Sequence, residues 1–439
     1  MRRIVTLLVV PFLAAACDPP VPAAPSTNVA PAVDGGSAPA LSATALAAMS
    51  SPDLQAPAQS SNAFAFDLYA QARAGGGNLA FSPLSLWTAL TMTWAGARGE
   101  TAAQMARVLH LERSVDHVLD PAGRLLAGYQ APGQPVTLRV ANRLFGEKAF
   151  AFDPDYLART RAAFGAPLEA IDFRTAPEAA RQHINAWVAE QTADRIKDLV
   201  APGGVNADTR LVLTNAIYFL GDWLAPFTRE ATRPAPFHLT AAQSKDVPTM
   251  HQTARFRFAA TDGVKVLELP YQGGDLAMTL VLPDAIDGLG AVEARLAPAA
   301  FAGWLAALDA TEVLVSLPRL EINPPGALSV GPMLGALGMP LAFDQARADF
   351  TGIANPVAAA DRLHLDKVFH KAFVKVDEKG TEAAAATAVV MMRPLIARRP
   401  GTPPAEFTAD HPFLFVLRDL RSGMILFLGR VSDPAGVAR

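Results

Sequence analysis

The chain has a single cysteine, Cys17, in 439 residues. That excludes an intramolecular disulfide in any redox compartment and a zinc site built on several thiolates. The eight histidines show no metal-ligand spacing, so no metal or other cofactor is expected. There is no G-x-S-x-G elbow and no phosphate-cradling glycine loop. A Ser-His-Asp hydrolase stays open only because such triads assemble in space rather than in sequence. Net charge is −3 with no basic cluster, which argues against nucleic acid and against a strong polyanion-binding helix. No internal repeat and no clear linker interrupts the chain after about residue 60, so we read one large domain there.

Residues 18–60 lack lysine, arginine and every aromatic, and are rich in Ala, Pro and Ser. Such a stretch cannot bury enough apolar surface to fold. It reads as a disordered tether of about 40 residues, with a root-mean-square reach of roughly 35 Å. Before it, Arg2 and Arg3 precede an apolar run, Ile4 to Ala16, that is too short to span a bilayer. Residues 1–16 read as an export signal. Leu13-Ala14-Ala15-Ala16-Cys17 resembles a bacterial lipoprotein cleavage box, which makes Cys17 the candidate lipidation site. The expected organisation is a signal peptide over 1–16, a lipidated tether over 17–59 and a folded domain over 60–435. The expected location is the cell envelope, through a lipid anchor, or else the secreted fraction.

Periodicity places helices and strands along the domain. Phe64, Leu68 and Tyr69 recur at helical spacing over Ala63 to Ala74, and Gly75 to Gly77 stop that helix. Ser82-Pro83 starts another. Thr175 to Asp198 carries apolar positions Ile184, Trp187, Val188 and Ile196, with Thr175 as the expected N-cap and Pro177 in the first turn. Leu211 to Leu220 is a near-continuous apolar run, the pattern of a strand buried on both faces. Ala277 to Leu282, Val313 to Leu317, Phe413 to Leu417 and Met424 to Leu428 read likewise.

The most informative segment is Glu378 to Ala388, E-K-G-T-E-A-A-A-A-T-A, followed by Val389, Val390, Met391 and Met392. At a period of two, one face holds Thr381, Ala383, Ala385, Thr387, Val389 and Met391. Every position on it is small or apolar, so it could enter a sheet without burying a charge. Glu382 is the only charge after Lys379, on the other face, with Ala384 and Ala386. Alanine and glycine are weak strand formers, so the segment is permitted to be a strand rather than compelled. An alanine-rich helix or a flexible linker is the plain alternative.

Several ordered motifs sharpen this. N-L-A-F-S-P-L-S-L-W-T-A-L (Asn78 to Leu90), G-A-R-G-E-T-A-A-Q-M (Gly96 to Met105), L-T-N-A-I-Y-F-L-G-D-W (Leu213 to Trp223), L-E-L-P-Y (Leu267 to Tyr271), F-H-K-A-F-V-K-V-D-E-K-G-T-E-A-A (Phe369 to Ala384), A-D-H-P-F-L-F-V-L (Ala409 to Leu417) and F-L-G-R-V-S-D-P (Phe427 to Pro434) resemble those of the serpins, in family order over roughly residues 60–435. The resemblance implies an α+β fold with three β-sheets, about nine helices and an exposed reactive-centre loop, here about 378–405. It implies a monomeric suicide inhibitor of serine proteases, with cysteine proteases as the alternative target, and no catalytic residues of its own. Insertion of a cleaved serpin loop into its central sheet is an established example of strand addition and strain release.

By the same resemblance Glu378, Gly380, Thr381, Glu382, Ala383, Ala384, Ala385, Ala386 and Thr387 form the hinge of the inserting loop. Gly380 is expected to supply backbone freedom, and Thr381 to be buried first. Ser82, Ser85, Asn215 and His370 match the shutter beneath the parting strands, as a buried hydrogen-bond network or as ordinary satisfied core groups. Trp223 matches the breach tryptophan, or is plain core packing. Counting as the family does places the bait bond after Pro394, before Leu395. One residue earlier gives Arg393-Pro394, a poor trypsin site because of its tertiary amide. Leu395-Ile396 would suit a chymotrypsin- or elastase-like enzyme, and Arg398-Arg399 a trypsin-like one on a longer leash. The loop is about seven residues longer than is usual in the family. A non-inhibitory serpin acting as a chaperone or binding module is the remaining alternative.

Overall fold

The apolar run at Leu211–Leu220 is the core of a twelve-residue strand, Leu211–Asp222, buried almost throughout. The computed structural model describes residues 51–165, 168–324, 326–358, 361–366, 368–381 and 403–434. Among them are nine α-helices and seventeen strands, the latter numbered here in chain order.

The first sheet contains β1 (Leu79–Phe81), β5 (Arg233–Thr240), β6 (Gln243–Thr261), β7 (Val264–Pro270), β8 (Leu276–Pro283), β9 (Asp309–Pro318), β15 (Ala405–Thr408), β16 (Phe413–Asp419) and β17 (Ile425–Val431), in the order β1-β17-β16-β8-β7-β6-β9-β15 with β5 also on β6. The second contains β2 (Thr137–Glu147), β3 (Leu168–Ile171), β4 (Leu211–Asp222), β10 (Leu320–Ile322), β11 (Leu328–Ser329), β12 (Phe369–Ala372), β13 (Val374–Val376) and β14 (Gly380–Thr381). The three sheets expected are therefore joined into two hydrogen-bonded networks. The weld is β6, 19 residues long. It pairs with β5 and β9 over most of its length and with β7 only from Arg257 to Thr261.

Between the sheets lies the helix Pro83–Ala95, buried at every residue. It needs no solvent face, since Thr88 and Thr93 donate their hydroxyls to carbonyls one turn back. Ser82 caps it, its Oγ accepting from the Ser85 amide at 3.2 Å, and Pro83 sits at the first helical position, where its missing N–H costs nothing. The strands expected at residues 277, 313, 413 and 424 appear as β8, β9, β16 and β17.

Two boundaries differ from the sequence reading. The first helix spans Ser51–Ala72 and includes Pro57, so part of the stretch read as tether is helical. Ala58 and Ser61 are buried, and Asn62 ties the helix to the distant C-terminal turn, donating to the Gly423 carbonyl and accepting from the Ile425 amide, both at 2.8 Å. Small side chains allow that close packing, a property composition does not reveal. The helix expected over Thr175 to Asp198 is Pro177–Gln191. Thr175 is not its N-cap: its amide donates 2.9 Å to the Asp172 carboxylate, which also takes its hydroxyl. The helix ends where Ala193 and Asp194 adopt left-handed backbone. No helix of the described residues is long and apolar enough to cross a membrane.

Candidate functional site

Along one flank of β4, β2 pairs without a break, from Thr137↔Leu220 to Gly146↔Leu211. The other flank is divided. Its lower part pairs in parallel with β12, His370 facing Asn215 and Ala372 facing Ile217. Above that, the chain continues as β13 and leaves β4. The space between them is taken by β14, which runs antiparallel to both: Thr381 faces Gly221 on one side and Val376 on the other, and Gly380 faces Asp222. The sheet is thus forked, and Gly380 and Thr381 of the predicted hinge are in the fork as a short extra strand.

A tight turn delivers them. Asp377 Oδ1 accepts from the amides of Lys379 (2.9 Å) and Gly380 (3.4 Å), and the Asp377 amide donates to the Gly380 carbonyl at 2.9 Å. Such a side-chain-to-backbone turn is the ordinary use of aspartate. Gly380 is not in the left-handed region, so the backbone freedom expected of it is not its role. Space is: a Cβ there would lie 1.9 Å from the Gly221 carbonyl oxygen. Glycine is needed because two backbones meet.

Glu378 is buried and is held by Arg319, whose Nε lies 2.7 Å from Oε1, and by the Thr232 hydroxyl. Burial raises its pKa, but these bonds outweigh that and hold the carboxyl below its ordinary value. Its carbonyl accepts from the Phe227 amide at 2.9 Å. Trp223 is both buried and bonded to the turn. It is core, 1% exposed, and it also grips the turn, its Nε1 donating to the Asp377 carbonyl at 3.0 Å and its amide to Lys379 at 2.8 Å. Its ring stacks on Tyr271 with centroids 4.5 Å apart. The Tyr271 hydroxyl lies 2.6 Å from Thr381 Oγ1. Burial drives the Tyr271 pKa up, so it stays a neutral partner.

Below the fork the four expected shutter residues meet. The Ser82 amide donates to His370 Nε2 at 3.0 Å. Ser85 Oγ donates to Asn215 Oδ1, and Asn215 Nδ2 donates to the Ser85 carbonyl at 2.7 Å and to Asn142 Oδ1 at 2.6 Å. Because Nε2 of His370 accepts, its proton is on Nδ1, which has no partner among the described residues. Burial depresses the His370 pKa to about 3. The imidazole is neutral, as its acceptor role requires.

Asn142 was missed. Its signal is in the strand: Leu138, Val140, Asn142 and Leu144 alternate onto one buried face, and an amide at such a position needs a partner. Arg319 and Thr232 left no comparable signal, since an ion pair between distant segments has no period. Glu382, Ala383 to Ala386, Thr387, the reactive bond at Arg393, Pro394 and Leu395, and Cys17 lie outside the described residues. Beyond the loop, β15 runs parallel to β9 from Ala405 onward. Among the described residues no cluster of His, Cys, Asp or Glu could hold a metal ion.

Comparison with known proteins agrees with this geometry. The family model described as serpin (serine protease inhibitor) matches residues 59–434. A leukocyte elastase inhibitor of Bos taurus is 43% identical over 366 residues, covering 82% of this chain and 93% of that protein. Uncleaved ovalbumin superposes with a TM-score of 0.76 at 29% identity, over 86% of this chain and 99% of the other. A cleaved Serpin 42Da does so equally well, with a TM-score of 0.76 at 31% identity, over 87% and 99%.

Proposed function

The chain belongs to the serpin family, and from that premise we propose that it traps a serine protease by letting the cleaved loop enter the fork between β4 and β13. The observation that carries this is the placement of Gly380 and Thr381, which already pair as the top of an additional strand. Continuing that register sets Ala385 between Ile217 and Ala372, and Thr387 between Asn215 and His370. Those are two pairs that β4 and β12 now make directly. Each inserted residue replaces a parallel contact with antiparallel ones on both sides. Over about ten residues the added hydrogen bonds, at roughly 0.5–1.5 kcal/mol each, give a large driving force, so the exposed-loop state is held kinetically.

The same register bears on the bait bond. Extended to the foot of β4, that register would set Met391 opposite Leu211. A cut within Arg393 to Leu395 leaves the bound protease at the foot of the sheet, whereas Arg398-Arg399 leaves a slack leash. The relatives named leukocyte elastase inhibitors favour an elastase-like target, and Leu395-Ile396 is the bond such an enzyme would choose on sequence. Incubation with a protease panel, followed by SDS gels and mass measurement of the released C-terminal peptide, tests this. A complex that survives SDS supports trapping and identifies the bond. Clean cleavage with no complex, and no rise in melting temperature of the nicked protein, would leave the non-inhibitory reading.

Export and lipid attachment rest on Arg2, Arg3, the Ile4–Ala16 run and Cys17 alone. Labelling with a fatty-acid analogue, lost in Cys17→Ser, is the corresponding test.

A further inference from the structure

A cavity of about 490 Å³ lies between the helix Pro83–Ala95 and the foot of β4. Small-molecule sites span roughly 300–1,000 Å³. Its two halves differ in chemistry. On the inner wall Leu86, Ala89 and Leu90 recur at helical spacing, with Phe350 and Ile353 beside them, all five buried. The polar groups of this half are already satisfied. Thr93 donates to the Ala89 carbonyl at 3.1 Å, and Asn215 is committed to Ser85 and Asn142. An occupant meets apolar surface there.

The outer half is polar and open to solvent. Arg210 and Asp361 neutralise each other, Nη2 to Oδ1 at 3.1 Å, and Arg210 Nη1 also donates to the Ala207 carbonyl at 2.9 Å. The rest of the rim is uncommitted. Gln345, Arg362, His364 and Asp366 have no side-chain hydrogen bond or ion pair among the described residues, and neither does the Asp208 carboxylate. His364 is half-buried and the other four are exposed. Donors and acceptors thus ring one opening, with charges of both signs. A cationic head would meet Arg362, and an anionic head Asp208 and Asp366. A hydroxyl both donates and accepts, so an uncharged hydroxylated head can bond to either kind of group without like-charge repulsion.

We propose that this cavity binds an uncharged amphiphile, its alkyl or ring body against the helix and its hydroxylated head at the rim, as in an alkyl glycoside. The site also reaches Leu213 of β4 and Phe369 of β12, the strands whose pairing from Asn215↔His370 to Ile217↔Ala372 closes the sheet below the fork. A ligand that touches both binds the closed pair better than a parted one, and it biases the sheet by that difference in affinity. Its binding therefore slows strand entry. This consequence, unlike the binding itself, rests on the trapping mechanism proposed above.

Octyl glucoside below its micelle concentration is the probe, with octanol, octanoate and octylamine as controls of equal chain length. Calorimetric titration of the intact full-length protein should give one saturable site for octyl glucoside. The three controls should bind on the order of tenfold more weakly, since a missing or mismatched head forfeits hydrogen bonds at the rim. Ala89→Phe fills the inner half and should abolish binding. Arg362→Ser combined with His364→Ser, at positions outside the core, should weaken it in a protein that melts as the wild type does. Absence of a saturable site would leave a cleft that holds only water and would overturn the proposal. Equal binding of octanoate or octylamine would overturn it too, and so would wild-type affinity in the rim variant. In a protease reaction, saturating octyl glucoside should raise the ratio of cleaved inhibitor to SDS-stable complex. Tight binding with an unchanged ratio would overturn the coupling to strand entry. Absence of any complex without the probe would strike the trapping mechanism and leave the site standing.

Discussion

The hydroxyl of Thr381 lies 2.6 Å from that of Tyr271, whose ring is stacked on Trp223. Thr381, buried in the fork, is therefore met by a neutral hydroxyl in an aromatic wall. Thr381→Arg would bring a guanidinium into that wall without a carboxylate to meet it, at a cost of several kcal/mol. The variant should be cleaved as fast as the wild type and should form little or no SDS-stable complex. A gel showing wild-type complex would remove Thr381 from the mechanism.

Gly380 tests the fork itself. A Cβ at this position would sit 1.9 Å from the Gly221 carbonyl oxygen, so Gly380→Ala should expel β14 from between β4 and β13. The expected outcome is slower insertion and a smaller gain in melting temperature after nicking. An unchanged gain would mean that the backbones separate at no cost.

The Glu378–Arg319 pair fastens the turn that feeds the fork. Glu378→Lys would set two cations together at a buried position, and should destabilise the intact protein by about 1–3 kcal/mol, the range for removing a partner from a buried hydrogen-bonded group. Arg319→Glu in the same chain should restore part of the loss. Equal melting temperatures for the single and double variants would show that the pair does not act as a unit.

Acid should weaken the shutter before it weakens this latch. The folded-state pKa of His370 is depressed to about 3 from 6.5, so the unfolded chain binds a proton that the folded one refuses. Stability is unaffected by this group above pH 6.5 and falls as pH drops from there toward 3, by up to about 1.4 kcal/mol per pH unit. His251, also depressed, by burial and by Arg233, acts in the same direction. Glu378 adds its loss only below its ordinary value of 4.5. Melting temperature measured from pH 7 to pH 5 should therefore fall more steeply for the wild type than for His370→Gln, which keeps an acceptor for the Ser82 amide. Parallel curves would place the proton elsewhere.

Gly380, Thr381 and the polar cluster of Ser82, Ser85, Asn215 and His370 were legible because their types are dictated locally: a glycine, a small uncharged residue, polar groups in apolar runs. Asn142 was legible in principle, as an amide where Leu138, Val140 and Leu144 set an apolar alternation. Arg319 was not, because only the fold brings it to Glu378. Thr175 looked like a cap until Asp172, three residues before it, captured its amide. The helix from Ser51 was hidden by alanine, which is compatible with a tether and with tight packing alike. The fork was the least visible feature, since β12 and β13 are one continuous stretch in sequence, of which β12 pairs with β4 while Gly380 and Thr381 come between β13 and β4.

With β2 occupying one whole side of β4, only the other side can accept a new strand, and it can do so once. A molecule that has acted cannot be reset without tearing out that strand. Its capacity is a count of copies rather than a rate, and the cell that makes it must match each enzyme silenced with one newly synthesised chain.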